Sequence, residues 1–462
     1  NSNFSVSARD TQGSSQVTTV KNSVQQFTDL PTISPNGMVV EIKGDQSTNF
    51  DNYYVQFATN NGEALGEGQW QESSAPGIKF KFNYSTMPHV LIRQADGNFR
   101  FARVDGDTYT AGGQTFGLPV WGERICGDLD SAQNPSFVGN KINNVFFFRN
   151  RLGFLASDNV ILSTVSEFFN FFPETVLSVV DSDPIDVAAS HTKVAILKNA
   201  VSMGEKLILF SDQTQFVLSS SADNLTPKTA NILVATEFES SDSATPTGAG
   251  SSIYYLTQKG NFSGVREYIT QSGVETRDAA NITIHVPKLI PNDIFKIAIS
   301  TNEDVLVLLG SSNTNKLYVN KWLYGAKSEK ILNSWFTFTF SPGRIIRNIE
   351  FIGTDLFLVT EKLVKDGQNT EINLEKLIFE PDFKEPHSTF EYRLDRKLTQ
   401  ASPGVSLSYN SSTNQTTITC PYTFEEQMTA VAAPVAPNAV ARYNSTTSNN
   451  TVTITYPNHG FI

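Results

Sequence analysis

The sequence contains 462 residues and carries 35 Lys and Arg against 46 Asp and Glu, a formal net charge of −11. This acidic balance argues against a protein that reads nucleic acid through a basic surface. Since 39% of the residues are hydrophobic and only 18% are charged, the composition is that of a folded chain and excludes a disordered one, and no apolar run is long enough to span a bilayer.

Residues 1–115 are expected to form a separate β module. Two strand-like runs, GMVVEIKG and YYVQFA, flank the polar loop DQSTNFDN. Further along, VLIRQ and NFRFARV are separated by Ala95, Asp96 and Gly97. Because Asp-Gly readily adopts the positive φ angles of a tight turn, these two runs predict a β-hairpin.

Residues 116–395 contain a rhythm of strands and turns that restarts at nearly even spacing. If the runs at Leu207, Ile253, Val305 and Leu356 open successive units, the intervals between them are 46, 52 and 51 residues. An earlier unit begins at Val145, 62 residues upstream. Kelch-like propellers repeat about every 50 residues, so the pattern predicts an irregular β-propeller of about five to six blades. A two-sheet sandwich is the alternative, but it does not explain the even restarts.

Helical periodicity is hard to find, and its best candidate is the stretch 165–172. Residues 396–462 contain two similar segments, VSLSYNSSTNQTTITCPY and VARYNSTTSNNTVTITYP, which predict duplicated hairpins. Thr alternates with other residues in TTITC and TVTITY, so the Thr side chains are expected to face solvent and the others a core. The predicted fold is mainly β, with a β-propeller-like central domain and flanking β-sandwich or β-barrel modules.

The two cysteines, Cys126 and Cys420, are far apart in the sequence and belong to no metal-binding spacing. One long-range disulfide is possible, but two reduced core thiols in a protein made in a cytosol are favoured. The sequence starts without Met or a signal peptide and stops just after a strand-like run. It is therefore expected to be a fragment, with the C-terminal module the start of a longer domain.

The familiar catalytic and metal-binding motifs are missing from the sequence. Its five His residues are isolated, and it contains no nucleophile elbow, P-loop or dinucleotide fingerprint. The one tight carboxylate cluster is Asp181, Asp183 and Asp186 in DSDPID. Grouped carboxylates suit hard cations such as calcium, but Asp before Pro184 is typical of a turn and the spacing is not that of an EF-hand. A structural turn is favoured, and no catalytic residue, metal or cofactor is predicted.

One block, residues 135–190, contains FFRNRLGFL, NVILS, FFNFFPE and DPIDVA in that order. With these motifs the block resembles the nozzle proteins, or tail tubular proteins B, of short-tailed bacteriophages. The likeness extends to LPTISPNG, APGIKF, TMPHVLIRQADGNF, KVAILKNAV, SDQTQFVL and NITIHVPKLIPN, and so covers most of residues 30–300.

The resemblance implies a structural virion protein with no enzymatic activity. Members of this family form a homo-hexameric ring below the ring of the tail adaptor, tail tubular protein A. The ring continues the portal channel, closes it before infection, conducts viral double-stranded DNA without sequence preference, and helps to anchor the tail fibre proteins. The implied location is the tail of the virion, after assembly in the cytoplasm of the bacterial host. The alternative is a secreted or surface β-propeller enzyme or lectin whose aromatic side chains bind glycans.

The same block predicts a structural motif. Its residues are Arg149, Arg151, Gly153, Asp183, Pro184 and Asp186. Arg149 and Arg151 flank a turn, where their guanidinium groups could tie sheets together through carboxylates or carbonyls. We expect one of these two arginines to pair with the carboxylates of DSDPID.

Overall fold

The computed structural model describes residues 19–44, 52–192, 195–222, 224–270, 277–325, 330–363, 370–379, 401–423, 431–432, 441–442, 444–448 and 450–455. These residues form 34 β-strands and a single turn of 3-10 helix, Phe27–Asp29. The prediction of a mainly β protein is confirmed.

The stretch 165–172 forms turns and not the helix for which it was the best candidate. Thr164 and Glu167 make an isolated β-bridge. Phe171 and Phe172 are buried in an aromatic core that also contains Trp121. The closely spaced phenylalanines therefore reflect the burial of a loop and not a helical repeat.

Contacts between Cα atoms divide the chain into two compact units. The first contains residues 1–242 and 269–279, and the second contains residues 243–268 and 280–462. The division into three domains at residues 115 and 395 stays a prediction.

The first unit begins with a five-stranded sheet in the order β1-β3-β4-β5-β2. Its strands are β1 Ser23–Val24, β2 Ile33–Pro35, β3 Val39–Ile42, β4 Tyr53–Thr59 and β5 Leu65–Ser73. Val40, Ile42 and Val55 fill a small core, and the indole N–H of Trp70 donates to the carbonyl of Pro31 at 2.8 Å. The two strand-like runs of the sequence are thus β3 and β4, and residues 45–51 of the polar loop between them lie outside the described residues.

Two hairpins follow this sheet. Their strands are β6 Val90–Arg93, β7 Phe99–Ala102, β8 Thr108–Ala111 and β9 Gln114–Gly117. β6 pairs antiparallel with β7, and Gly97 in the turn between them has a φ of 86°. This left-handed conformation is the one for which Gly is suited, and the hairpin predicted from Asp-Gly is confirmed.

Two four-stranded antiparallel sheets come next in the first unit. The first sheet contains β10 Ile142–Phe148, β11 Arg151–Ala156, β12 Asn159–Leu162 and β13 Ile185–Ala188, and the second contains β14 Asn199–Met203, β15 Lys206–Phe210, β16 Gln215–Ser220 and β17 Ala230–Thr236. β10 lies against β14, and β13 lies against β17. Leu155 and Phe216 belong to the core that the two sheets share, whereas Phe154, on the other face of the first sheet, packs in the aromatic core with Trp121. The sheets are therefore stacked face to face.

Three further sheets follow along the chain. The third contains β18 Thr247–Ala249, β19 Ser252–Lys259, β20 Phe262–Thr270 and β21 Arg277–Asn281. The fourth contains β22 Ile294–Ser300, β23 Val305–Gly310, β24 Lys316–Tyr324 and β25 Lys330–Thr339. The fifth contains β26 Arg344–Ile352, β27 Asp355–Leu363 and β28 Thr370–Ile378. In β23, Leu306 and Leu308 pack toward the third sheet, whereas Val305 and Val307 pack toward the fifth. The fourth sheet is thus covered on both faces.

The four apolar runs used to count the repeat are the second strands of their sheets, not the first. Leu207, Ile253, Val305 and Leu356 lie in β15, β19, β23 and β27. The spacing was predicted correctly, but the phase was wrong by one strand. A strand buried on both faces is continuously apolar, and this makes the second strand the most conspicuous in the sequence. Closure of the sheets around a common axis, as a propeller requires, stays a prediction.

The described part of the C-terminal region contains a four-stranded sheet in the order β29-β30-β34-β33. The strands after β28 are β29 Ser406–Asn410, β30 Gln415–Thr419, β31 Val431–Ala432, β32 Ala441–Arg442, β33 Asn444–Ser448 and β34 Thr451–Thr455. β29 pairs with β30 and β33 with β34, which confirms both predicted hairpins. Ile418 faces the small core beside Val452 and Cys420, as the Thr alternation predicted, but Thr416 is also buried on that face.

Candidate functional site: the Arg151 turn and the loop it anchors

The site begins with a two-residue turn between β10 and β11, where Phe148 pairs with Arg151. The central residues Arg149 and Asn150 have φ angles of 45° and 58°, as a tight hairpin with the normal strand twist requires. The side-chain amide of Asn150 donates to the Ser166 hydroxyl at 2.6 Å, which fixes the turn. Arg149 points outward, 3.6 Å from Glu205, and Arg151 points inward.

Arg151 is only 1% exposed. Its guanidinium donates to the carbonyl of Ser163 at 2.7 Å and to the carbonyls of Asp181, Ser182 and Asp183 at 2.9, 3.2 and 2.6 Å. Burial lowers the pKa of Arg151 from its ordinary value, and the nearby Asp183 opposes this effect. One side chain thus joins two segments of the chain through their backbone carbonyls.

The expected pairing of Arg149 or Arg151 with the carboxylates of DSDPID is wrong in its acceptor. Arg151 does reach this turn, but through carbonyl oxygens, because the carboxylates hold backbone and amide N–H groups instead. The Asp183 carboxylate accepts from the amide of Val180 at 2.8 Å. The Asp186 carboxylate accepts from the amide of Ser136 and the side chain of Asn159, both at 2.8 Å. The bond from Val180 to Asp183 is of the kind typical of turns, whereas Asp186 lies in β13 and binds residues that are distant in the sequence.

Pro184 and Gly153 complete the predicted motif. Pro184 immediately precedes β13, so the turn of Asp181 to Asp183 leads directly into the edge strand of the first sheet. Gly153 lies opposite Phe146 in the ladder. A Cβ on Gly153 would lie 2.9 Å from a methyl carbon of Leu162 and closer still to the Phe146 ring. Gly is therefore required here for close packing and not for its φ angle.

An exposed apolar loop, residues 177–181, leads into the turn of Asp181 to Asp183. Leu177, Val179 and Val180 are 52%, 51% and 42% exposed. The loop is fixed at both ends: Glu72 accepts from the hydroxyl of Thr175 at 2.6 Å and from the amide of Val176 at 2.8 Å, and Arg151 holds the carbonyls of residues 181–183. The sequence analysis missed this loop, for which the signal is the run VLSVV beside an acidic turn.

A second buried polar group, in the second unit, was also missed. Glu267 is only 3% exposed. It accepts from the hydroxyls of Tyr254 and Tyr324 at 2.6 and 3.0 Å and pairs with Lys330 at 2.6 Å. The Lys330 ammonium also lies 5.2 Å from the ring centroid of Trp322. Burial and Glu267 raise the pKa of Tyr324 to about 12. These contacts join the third sheet to the fourth.

The described residues contain no group of three or more His, Cys, Asp or Glu side chains arranged to hold a metal ion. Within the same residues, no helix has both the length and the apolar character needed to cross a membrane. Cys126 and Cys420 are both buried free thiols, as predicted. Burial raises the pKa of Cys126 to about 12, which makes this thiol unreactive near neutral pH.

A family model described as bacteriophage nozzle protein matches residues 1–459. The chain is also 35% identical over 356 residues to tail tubular protein gp12 of Escherichia phage T7. That match covers 77% of this chain and 42% of the T7 protein, so the chain spans less than half of this relative's length.

Solved structures give weaker matches. The Pan2 WD40 domain of Neurospora crassa matches at 10% identity and a TM-score of 0.28, over 60% of this chain and 71% of that one. The complex of the Nup170 N-terminal domain with Nup53 from Chaetomium thermophilum matches at 10% identity and a TM-score of 0.32, over 62% and 48%. Scores this low carry no inference. The family model and the T7 relative, by contrast, confirm the resemblance drawn from residues 135–190: this chain belongs to the bacteriophage nozzle protein family, and it is a structural component of the virion tail.

Proposed function

We propose that six copies of this chain form a ring that continues the portal channel below the tail adaptor, tail tubular protein A. The ring keeps the channel closed before infection, conducts viral double-stranded DNA at ejection, and helps to anchor the tail fibre proteins. The observation that carries the proposal is the match of the nozzle family to residues 1–459.

The fold supports a mechanical role. The first and second sheets share a buried core, as do the third and fourth and the fourth and fifth. Close-packed interiors have low compressibility and transmit strain. Sheets stacked in this way are suited to a wall that must hold its shape while DNA passes.

The charge supports passage without binding. Proteins that hold DNA tightly do so chiefly by pairing Lys and Arg with phosphates. Six copies of a chain with a net charge of −11 would carry about −66, and a wall with the same sign of charge as the phosphates would let the duplex slide.

The channel must be the axis of the ring, because the interior of a single small propeller is mostly filled by its own side chains. A duplex, roughly 20 Å across, is too wide for such an interior, whereas a closed ring of several copies can enclose it. The proposed function therefore requires an oligomer.

The test is to co-express the full-length protein with its tail adaptor and to measure the mass and symmetry of the product by native mass spectrometry and cryo-electron microscopy. We expect a ring of six and the same protein in purified virions. A monomer that does not bind the adaptor but binds or cleaves polysaccharide would overturn the proposal in favour of the alternative, a β-propeller enzyme or lectin that acts on glycans.

A further inference from the structure

The apolar loop, residues 177–181, is exposed, and contacts at both of its ends fix its position. Glu72 fixes the chain before it, and Arg151 fixes the chain after it. Loops that serve only to connect strands are usually polar, and an exposed apolar cluster commonly marks a site of interaction. Three apolar side chains on an anchored loop are typical of a contact surface.

The β6–β7 hairpin presents a second exposed apolar surface in the same unit. Leu91 pairs with Phe101 and Arg93 with Phe99, so these four side chains lie on one face of the hairpin, which we name the hairpin face. Leu91, Phe99 and Phe101 are 65%, 63% and 71% exposed. The His89 ring stacks on Phe101, with 5.1 Å between ring centroids, and holds it in place.

The two surfaces carry opposite charge. The hairpin and its flanks, residues 89–103, contain three exposed arginines against one carboxylate, Asp96. Arg93 lies on the hairpin face itself, and Arg100 pairs with Ile92 on the opposite face. The segment around the apolar loop, residues 173–183, contains no Lys or Arg, and its exposed carboxylates are Glu174 and Asp181, since Asp183 is buried beside Arg151. Complementary charge steers two apolar surfaces together and disfavours pairing of either surface with itself.

A closed ring is built from head-to-tail contacts, each of which joins one surface of a copy to a different surface of its neighbour. We propose that the apolar loop of one copy binds the hairpin face of the next copy. This inference rests on the proposed ring and names the contact that builds it. It also gives the buried Arg151 its role, which is to hold the loop in the conformation that the neighbour binds.

Cysteine cross-linking tests the contact directly, because the native Cys126 and Cys420 are buried. Two full-length proteins, one carrying Phe99→Cys and the other Val179→Cys, are mixed, assembled with the adaptor and oxidised. We expect a disulfide between the two proteins only when both variants are present. The control pairs Phe99→Cys with Leu65→Cys, since Leu65 is 61% exposed and begins β5, at the opposite end from the Glu72 that holds the loop, and we expect no cross-link.

Charge substitutions at the same surfaces provide the second readout. Phe99→Glu and Val179→Arg each place a charge of the same sign as the surface they would face, and each should raise the concentration needed for half-maximal ring formation about tenfold or more, as for residues at the centre of an interface. Leu65→Glu should leave it unchanged. Circular dichroism checks that every variant is folded.

The outcomes separate this inference from the proposed function. If the unsubstituted protein forms rings, but the cysteine pair does not cross-link and the Phe99→Glu and Val179→Arg variants still assemble, the contact is wrong and the ring stands. A cross-link from Val179→Cys to the adaptor instead of a second copy also overturns the contact. If the unsubstituted protein forms no ring with its adaptor, the proposed function itself fails.

Discussion

Arg151 is a charged side chain that binds backbone carbonyls, and no carboxylate of the described residues is in direct contact with it. A planar guanidinium with five N–H donors can satisfy several carbonyls at once, which the point charge of Lys cannot do. Its removal would leave carbonyl oxygens buried without partners, and each such group costs about 1–3 kcal/mol.

We expect Arg151→Met to lower the free energy of unfolding by about 3 kcal/mol, and Arg151→Lys to recover only part of the loss. Arg149→Gln is the matched control, because the Glu205 that faces Arg149 is 91% exposed and exposed pairs contribute about 0–1 kcal/mol. Thermal unfolding and hydrogen exchange of residues 177–185 measure both effects. Equal losses for the two arginines would contradict the central role of Arg151.

A further prediction at this scale concerns alkaline pH. Burial and Glu267 raise the pKa of Tyr324 from 10.0 to about 12, and they raise that of Tyr254 as well. A phenol whose pKa is raised by folding stabilises the protein fully below pH 10, the ordinary pKa, and this stabilisation is lost as the pH rises toward about 12.

Urea unfolding should therefore show the free energy of unfolding falling between pH 10 and about 12. Tyr324→Phe has no phenol to ionise, so its decline over the same range should be shallower, although the variant is less stable at neutral pH because a hydrogen bond to Glu267 is lost. An equally steep decline in both proteins would show that other groups cause it.

At the scale of the strand, Gly153 allows β10 and β11 to pack closely. The Phe146 ring occupies the space in which a Cβ at position 153 would lie. Overpacking of this kind costs about 1–3 kcal/mol, because the neighbouring side chains must leave their preferred rotamers.

Gly153→Ala should accordingly destabilise the protein by about 2 kcal/mol. Gly117→Ala is the control: Gly117 also lies in a strand, and nothing lies within 4 Å of the Cβ it would gain. Chemical denaturation of the two variants should show a lower midpoint for Gly153→Ala alone. If Phe146→Ala does not relieve the loss, close packing is not its cause.

The elements that the sequence predicted best are those fixed by local chemistry. Asp96-Gly97 places a turn whatever surrounds it. Tyr-Asn-Ser lies at the turn of the first C-terminal hairpin, where β29 ends at Asn410, but in the second hairpin Asn444 and Ser445 belong to β33 and the turn lies between Ser448 and Thr451. The phase of the repeat was missed because burial on both faces, which makes β15, β19 and β23 continuously apolar, depends on neighbouring sheets. The acceptors of Arg151 could not be predicted either, since they are carbonyls that only the folded backbone brings together. Nor does the sequence show which residues of an apolar run are exposed: Leu177 and Val179 of VLSVV are exposed, as are Val145 and Phe147 of VFFF, whereas Phe148 is buried.

At the scale of the whole chain, the net charge of −11 sets the expected behaviour of these 462 residues toward DNA. We expect the 462-residue chain to leave the electrophoretic mobility of duplex DNA unchanged at about 0.15 M salt, where only charges within about 8 Å act strongly on each other. A basic DNA-binding domain serves as the positive control. Retardation of the duplex at micromolar protein would contradict a channel wall that repels its cargo.

Every copy carries both the hairpin face and the apolar loop, and this favours closed assemblies over open ones. An open row of subunits leaves one contact surface unbound at each end. The last subunit to enter a circle makes two contacts but loses its translational and rotational entropy only once. Partial circles are therefore rare. A subunit with only one surface damaged would still join and then block closure. If six copies form the proposed ring, a half-and-half mixture with such a subunit would leave roughly one ring in sixty free of it, so an equal supply of defective copies would prevent nearly all closure.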